Sequence, residues 1–305
     1  MKRAVITGPT GAVGTALAQC LIDREIEVLA VCRRGSKRIG NLPKSPYLRV
    51  VECSLDELNR LPSLAEGTYD AFYHFGWDGT FGNARNNMPG QLKNIQYTLD
   101  AVEAAAQLGC TVFVGAGSQA EYGRVEGDLR EDTPAFPENG YGIAKLCAGQ
   151  MSRILCEQKG IRHVWTRILS VYGPNDGEKT MIMATIQKLL AGEKPALTKG
   201  EQQWDYLYSK DAAAALYLLG KKGKNGRIYC LGSGKARPLL DYIEWMRDEI
   251  DTALPLGIGE IPYAPKQVMY LCADISALRE DTGFEPQYTF QEGIRETIEW
   301  VREEP

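Results

Sequence analysis

Tyr141 and Lys145 stand four residues apart in Tyr141-Gly-Ile-Ala-Lys145, a spacing that places both on one face of a helix. A phenol beside an ammonium can pass a proton near neutral pH. Free tyrosine titrates near 10, so working near 7 requires about 3 units, roughly 4 kcal/mol, of preferential stabilisation of the phenolate. The same spacing recurs at Tyr206 to Lys210 and Tyr217 to Lys221, so spacing alone selects none of the three. Ser118 selects Tyr141. The apolar run Thr111-Val-Phe-Val-Gly115 leads into Ala-Gly-Ser118-Gln-Ala-Glu-Tyr122, and a hydroxyl at the carboxyl end of a strand lies where a doubly wound sheet holds its ligands. The expected chemistry is hydride transfer at a carbinol carbon. Tyr141 moves the proton, Lys145 acidifies the phenol and bonds the nicotinamide ribose, and Ser118 holds the reacting oxygen.

Such a group needs a scaffold, and the hydrophobic periodicity supplies one. Short apolar runs at 3–7, 27–32, 48–52, 71–75, 111–115 and 163–168 read as strands, with helical patterns between most of them, notably at 92–108 and 141–158. This βαβ rhythm predicts an α/β fold: a doubly wound parallel sheet (Rossmann) over 1–174. After Tyr172-Gly-Pro174 the loops lengthen and prolines recur, and helices at 181–191, 211–219, 239–250 and 291–303 are joined by short strands. Residues 175–305 are therefore expected to form a smaller C-terminal α/β substrate domain, with about 205–231 as a candidate return to the first domain.

The first strand runs into Thr7-Gly-Pro-Thr-Gly-Ala-Val-Gly14. Gly8, Gly11 and Gly14, with Ala12 and Val13 opening a helix, offer backbone N–H groups and a positive helix end to a pyrophosphate. The second strand ends in Cys32-Arg33-Arg34-Gly-Ser-Lys-Arg38, where an NAD site expects an acid for the ribose 2′-hydroxyl. There is none, and Arg33 or Arg34 would suit a 2′-phosphate. NADP is the preferred cofactor, with NAD the alternative.

Composition narrows the partners. A net charge of -4 and a pI near 5.5 argue against nucleic acid and anionic membrane surfaces, which demand clustered Lys and Arg. Eight cysteines without a Cys-x-x-Cys, and only two histidines, offer poor material for a metal site and read as reduced thiols of a cytoplasmic protein. No run approaches the length of a membrane span. The partner expected is a small molecule.

With these residues in view the chain resembles the extended short-chain dehydrogenase/reductase family, in its branch of nucleotide-sugar epimerases, dehydratases and 4-ketoreductases. The landmarks run in order through Thr7-Gly-x-x-Gly-x-x-Gly14, Tyr73-His-Phe-Gly-Trp77, Asn94, Ser118, Tyr141-x-x-x-Lys145, Arg167-Ile-Leu-Ser-Val-Tyr-Gly-Pro174, Trp204-Asp-Tyr206, Ala273-Asp-Ile and Gly283-Phe-Glu-Pro286. The resemblance implies cofactor contacts at Phe75, Gly76, Trp77, Asn94, Lys145 and Leu169. It places the adenine contact at Ser54 and Leu55, where an Asp is usual at the first position. It also implies a nucleotide-diphosphate sugar as substrate and a homodimer formed through the helices near Leu92 and Tyr141. Departures carry information. Sugar 4,6-dehydratases have Asp-Glu after the serine-type hydroxyl, where this chain has Gln119 and Ala120, so dehydration is disfavoured. The Asn and Arg that hold the substrate diphosphate are replaced by Ser170 and Trp204, which makes Gln119, Ser170 and Trp204 the candidate substrate residues. Trp204 reads equally as a stacking platform or a core residue.

The function expected is an NAD(P)-dependent oxidoreductase or epimerase acting at C4 of a nucleotide-diphosphate sugar, with 4-keto reduction preferred because the arginine pair favours a consumed reductant. A 4-epimerase with tightly bound NAD is the alternative. Two other readings are a non-catalytic NADP-sensing regulator, since fold does not fix function, and reduction of a carbonyl compound without a nucleotide handle.

Overall fold

The computed structural model describes residues 1–303, so the last two positions of the 175–305 region lie outside the described residues. Seven strands form one parallel sheet: β1 (Arg3–Thr7), β2 (Glu27–Cys32), β3 (Leu48–Glu52), β4 (Ala71–His74), β5 (Val112–Ser118), β6 (Arg162–Ile168) and β10 (Arg227–Leu231), in the order β10-β6-β5-β4-β1-β2-β3. The inner strands are buried on both faces, which is why they read as apolar runs and not as alternations. Helices α1 (Ala12–Ile22) and α6 (Ser209–Lys222) cover one face, packing Leu17, Leu21, Leu216 and Leu219 into one core. The short α2 (Leu61–Leu64), α3 (Met88–Gln107) and α4 (Gly140–Lys159) cover the other around Phe72, Val102 and Phe113. No helix among the described residues is long and apolar enough to cross a membrane.

The remaining elements build on the carboxyl ends of the strands. β7 (Ser170–Tyr172) pairs with β9 (Tyr206–Tyr208), and β8 (Gln203–Trp204) lies between β11 (Arg237–Pro238) and β12 (Tyr270–Leu271). Helices α5 (Met181–Leu190), α7 (Leu239–Ile250) and α9 (Phe290–Glu303) close an aromatic core around Tyr172, Tyr208 and Tyr242, while α8 (Ser276–Thr282) packs on α6. β10 comes from the later part of the chain yet pairs with β6 at the edge of the large sheet.

One strand is longer than its apolar run. β5 continues past Gly115, where the apolar run ends, to Ser118. The missing side chains of Gly115 and Gly117 make room for the Trp165 indole: a Cβ would lie 2.3 Å from that ring at position 115 and 2.4 Å from it at position 117. The strand therefore delivers Ser118, not Gly115, to the top of the sheet.

The sheet reverses its winding between β1 and β4, and this is the switch point where doubly wound folds hold ligands. The two strand ends are tied together there. Thr7 Oγ1 bonds His74 Nδ1 at 2.9 Å and accepts from the Gly76 amide at 3.2 Å, and the Phe75 amide donates to the Thr7 carbonyl at 3.1 Å.

Candidate active site

The first turn of α4 carries Tyr141. Asn139 caps the helix, its Oδ1 accepting from the Gly142 amide at 2.9 Å. Gly142 has a tertiary reason to be glycine, because a Cβ there would stand 2.2 Å from the Ala120 carbonyl oxygen. Lacking one, α4 lies directly on the turn after β5, which brings the Tyr141 phenol into the neighbourhood of the Ser118 hydroxyl, close enough for Ser118 to act on its titration. Ser118 is itself fixed by a reciprocal cap. Its Oγ accepts from the Ala120 amide at 3.2 Å, and its own amide donates to Glu121 Oε1 at 2.8 Å.

Glu121 is wholly buried. Besides the Ser118 amide, its carboxylate accepts from Trp165 Nε1 at 3.1 Å and from Arg167 Nε at 2.8 Å, the last a salt bridge between two buried side chains. It holds the serine and has no carboxylate oxygen left for acid–base work.

Lys145 departs from the sequence expectation. Its Nζ donates to the Ala116 carbonyl at 2.6 Å and lies 3.8 Å above the Trp77 ring, against 5.8 Å from the Tyr141 ring. Burial pushes its ammonium down to about 7, with Glu121 pulling the other way, so at neutral pH it carries only part of a charge. Burial likewise raises the Tyr141 phenol above its ordinary value. A hydrogen bond with Ser118 and the charge of Arg85 act against that rise, and Glu121 adds to it. Desolvation thus disfavours the charged form of both groups.

The glycine loop fits a pyrophosphate. Gly8, at φ 67°, packs against the Phe75–Gly76 backbone, and a Cβ on Gly14 would lie 2.4 Å from the Gly8 carbonyl oxygen. Gly11 differs: nothing lies within 4 Å of where its Cβ would be. It caps α1 without a side-chain bond, and Ala12 and Val13 follow with no acid in the first turn, so the amides there face open space where an anion is favoured. Leu55 lies against Gly76 behind Phe75, and Ser54 begins the 3-10 turn carrying Leu55. Leu169 is buried, its amide donating to the Leu231 carbonyl at 3.0 Å. Arg34 pairs with Glu57 at 3.1 Å, and Arg33 is exposed with no ion pair among the described residues.

Two residues expected at the cofactor, Asn94 and Trp77, hydrogen-bond to other residues of the chain. The Asn94 amide clamps Asp78, accepting from its N–H at 2.9 Å and donating to its carbonyl at 2.8 Å. Trp77 forms a wall of the site, edge-on to Tyr141 with centroids 6.0 Å apart, its Nε1 donating to Gln91 at 3.0 Å.

Ser170 and Trp204, the two departures in the substrate region, bond to each other: Trp204 Nε1 donates to Ser170 Oγ at 2.8 Å. Ser118 pairs with Ile168 in the sheet, two residues before Ser170. Trp204 lines a cavity of about 350 Å³ with Met181, Leu197, Tyr206, Leu239 and Ile243, where Lys188 is the one charged lining residue among those described. Trp204 is half-buried and packs against two cores as well. Gln119 is half-buried beside Ser118. A larger cavity, about 540 Å³, lies between α1, α6 and α9 and touches none of these groups.

Arg85 was not legible in the sequence. It sits in a polar, aperiodic stretch after β4, yet its guanidinium lies 4.8 Å from the centre of the Tyr141 ring. Arg167 was legible only as a landmark, with nothing to show its partner Glu121.

The parallel sheet, the glycine turn and the Ser118–Tyr141–Lys145 group together define a dinucleotide-binding protein of the extended short-chain dehydrogenase/reductase type. Residues 4–232 match the NAD dependent epimerase/dehydratase family, and the chain belongs to that family. It is 28% identical over 199 residues to dTDP-glucose 4,6-dehydratase of Xanthomonas campestris pv. campestris, a match covering 62% of this chain and 57% of that protein's length. Its fold is that of UDP-N-acetylglucosamine 4-epimerase from Methanobrevibacter ruminantium M1, solved with UDP-N-acetylmuramic acid (TM-score 0.88, 24% identity, 99% of this chain and 98% of that one). The UDP-glucuronic acid 4-epimerase from Bacillus cereus, solved with NAD, is similar in fold too (TM-score 0.84, 19% identity, 98% of each chain).

Proposed function

We propose that the chain is a dinucleotide-dependent enzyme acting at C4 of a nucleotide-diphosphate sugar, where it reduces a 4-keto group to the alcohol. The placement of Tyr141 over the turn that begins at Ser118, beside a Glu121 whose carboxylate is engaged by Ser118, Trp165 and Arg167, carries the reading. When bound, the nicotinamide dinucleotide supplies the hydride. Tyr141 gives its proton to the sugar O4 as the carbonyl becomes an alcohol. Ser118, whose Oγ already accepts from Ala120, keeps its own hydrogen for the same oxygen. Trp77 and the buried stem of Lys145 wall the site from water. Dehydration needs a further acid and base beside the phenol. Gln119 and Ala120 supply neither. The cavity behind Trp204 is sized for a nucleoside, with Trp204 and Tyr206 as aromatic walls and Lys188 as the cation for a phosphate.

A second reading, 4-epimerisation with retained NAD, is favoured by the 4-epimerases among the solved relatives. Purification without added cofactor separates the two. The reductase is expected to need added reduced dinucleotide and to consume it stoichiometrically with a 4-keto nucleotide sugar. Stoichiometric bound NAD, with turnover of a 4-hydroxy nucleotide sugar and no additions, would establish the epimerase instead.

The cofactor preferred is NADP, held through Arg33, a cation just past the end of β2 that has no ion pair among the described residues. An Arg33→Ser variant is expected to bind NADPH roughly 10- to 100-fold more weakly, the worth of a charge-assisted hydrogen bond, with NADH affinity little changed. Fluorescence titration of both nucleotides reads this directly, and equal losses for the two would remove the assignment.

A homodimer is the assembly proposed. Met88 and Leu92 on α3, and Ile143, Met151 and Ile154 on α4, are exposed by 43 to 66%; the α4 set, spaced by eight and then three residues, falls on one face of the helix. A Leu92→Glu, Ile154→Glu double variant is expected to elute as a monomer in light-scattering chromatography where the wild type elutes as a dimer. A monomeric wild type rejects the proposal.

A further inference from the structure

We propose that Arg85 is a positioning residue for the proton-transfer group, its guanidinium being the cation that favours the Tyr141 phenolate; this rests on the reading of Tyr141 as proton carrier. The guanidinium lies 4.8 Å from the centre of the Tyr141 ring, within reach of a cation–π contact. None of the ion pairs among the described residues includes it, and its buried Nε has no hydrogen-bond partner there, so no carboxylate neutralises its charge beside the ring.

Arg85 is also held in place. It belongs to the 3-10 segment Gly82–Asn86, pinned at one flank by Gln91, whose Nε2 donates to the Ala84 carbonyl at 3.0 Å. At the other flank Asn86 Oδ1 accepts from the Gly140 amide at 2.9 Å, at the first residue of the helix that carries Tyr141. Gly140 itself is pressed on the Arg85 backbone, since a Cβ there would lie 3.0 Å from the Arg85 carbonyl oxygen. One short segment thus sets both the start of α4 and the cation above its first aromatic residue.

The other groups facing Tyr141 leave this role open. Lys145, from its own helix, is 5.8 Å from the ring and bonded to Ala116. Glu121 opposes a phenolate but is compensated by Arg167. Ser118 contributes a neutral hydroxyl. Arg85 is a cation from a separate element, and its planar, weakly hydrated guanidinium suits the face of an aromatic ring better than an ammonium does.

The test uses Arg85→Met, which keeps an apolar stem, and Arg85→Lys. Tyrosine labelled at the ring carbon bearing oxygen reports the phenol by NMR without turnover, and Tyr141→Phe assigns the signal. In Arg85→Met the Tyr141 titration is expected to move up by about one unit. In the oxidation direction, from a 4-hydroxy nucleotide sugar and oxidised dinucleotide, the alkaline-rising limb of kcat should move with it. Activity near pH 7 then falls roughly tenfold and recovers at higher pH, with KM little changed. Arg85→Lys restores part of the shift. The proposal is overturned if Arg85→Met leaves the Tyr141 titration and the pH profile at their wild-type positions, even where activity falls uniformly. If instead Tyr141→Phe retains wild-type turnover, the reading of Tyr141 fails, and the NMR shift still decides whether Arg85 acts on the phenol.

Discussion

A Tyr141→Phe variant is expected to fold, to bind dinucleotide, and to transfer hydride to a 4-keto nucleotide sugar on the order of 100- to 10,000-fold more slowly than wild type. Removing a positioned general acid costs about that much. The ring stays: its edge contact with Trp77 and its place under Arg85 do not need the hydroxyl. What is lost is the proton for O4 and the partner of Ser118. Single-turnover absorbance of the reduced nicotinamide measures the step, and a thermal melt confirms that the fold is intact. A variant with wild-type hydride transfer would return the chain to the regulator reading, in which the dinucleotide is sensed and no bond is made.

Glu121→Gln is expected to destabilise the chain by about 3–5 kcal/mol, because it leaves a buried guanidinium without its counter-charge. Glu121 is fully buried and Arg167 is 3% exposed, so water offers neither group compensation. For a chain of this size the midpoint of thermal unfolding should fall by on the order of 10 °C. The amide can still accept from Trp165 and from the Ser118 amide, but it cannot neutralise Arg167. The hydride-transfer rate should fall modestly, since the reciprocal cap that orients Ser118 is weakened while Tyr141 keeps its proton. The contrary pattern, full loss of turnover with an unchanged melt, would make Glu121 a working acid and reopen dehydration.

The two residues differ in how the sequence announces them. Tyr141 is flagged by its lysine and by the serine before it, all within 28 positions of chain. Glu121 is read from sequence only as a carboxylate near Ser118, and what it does depends on Arg167, 46 residues away. Arg85 is a stronger case. Neither its neighbours nor its spacing mark it, and it matters because Asn86 docks on the helix that begins at Gly140.

Local pattern was enough for the scaffold. Strands at 3–7, 27–32 and 48–52 and the helix at 239–250 fall where periodicity put them, since a parallel strand buried on both faces must be apolar throughout and an amphipathic helix must repeat every 3.6 residues. The glycine loop was equally legible, because turn, strand end and helix start are consecutive in the chain. The extension of β5 to Ser118 was not: it depends on Trp165 filling the space over Gly115 and Gly117, and local propensity reads glycine as a break. Nor was the bond between Ser170 and Trp204, two residues read separately as losses. The charge states at the centre were missed for the same reason. Four-residue spacing puts Lys145 on the face of Tyr141, but its ammonium lies on Trp77 and bonds Ala116, and burial lowers it to about 7. Composition and spacing determine which groups can be brought to a site. Which of them touch, and which hold their charge, follows from desolvation and from partners distant in the chain, and only the packed tertiary structure fixes those.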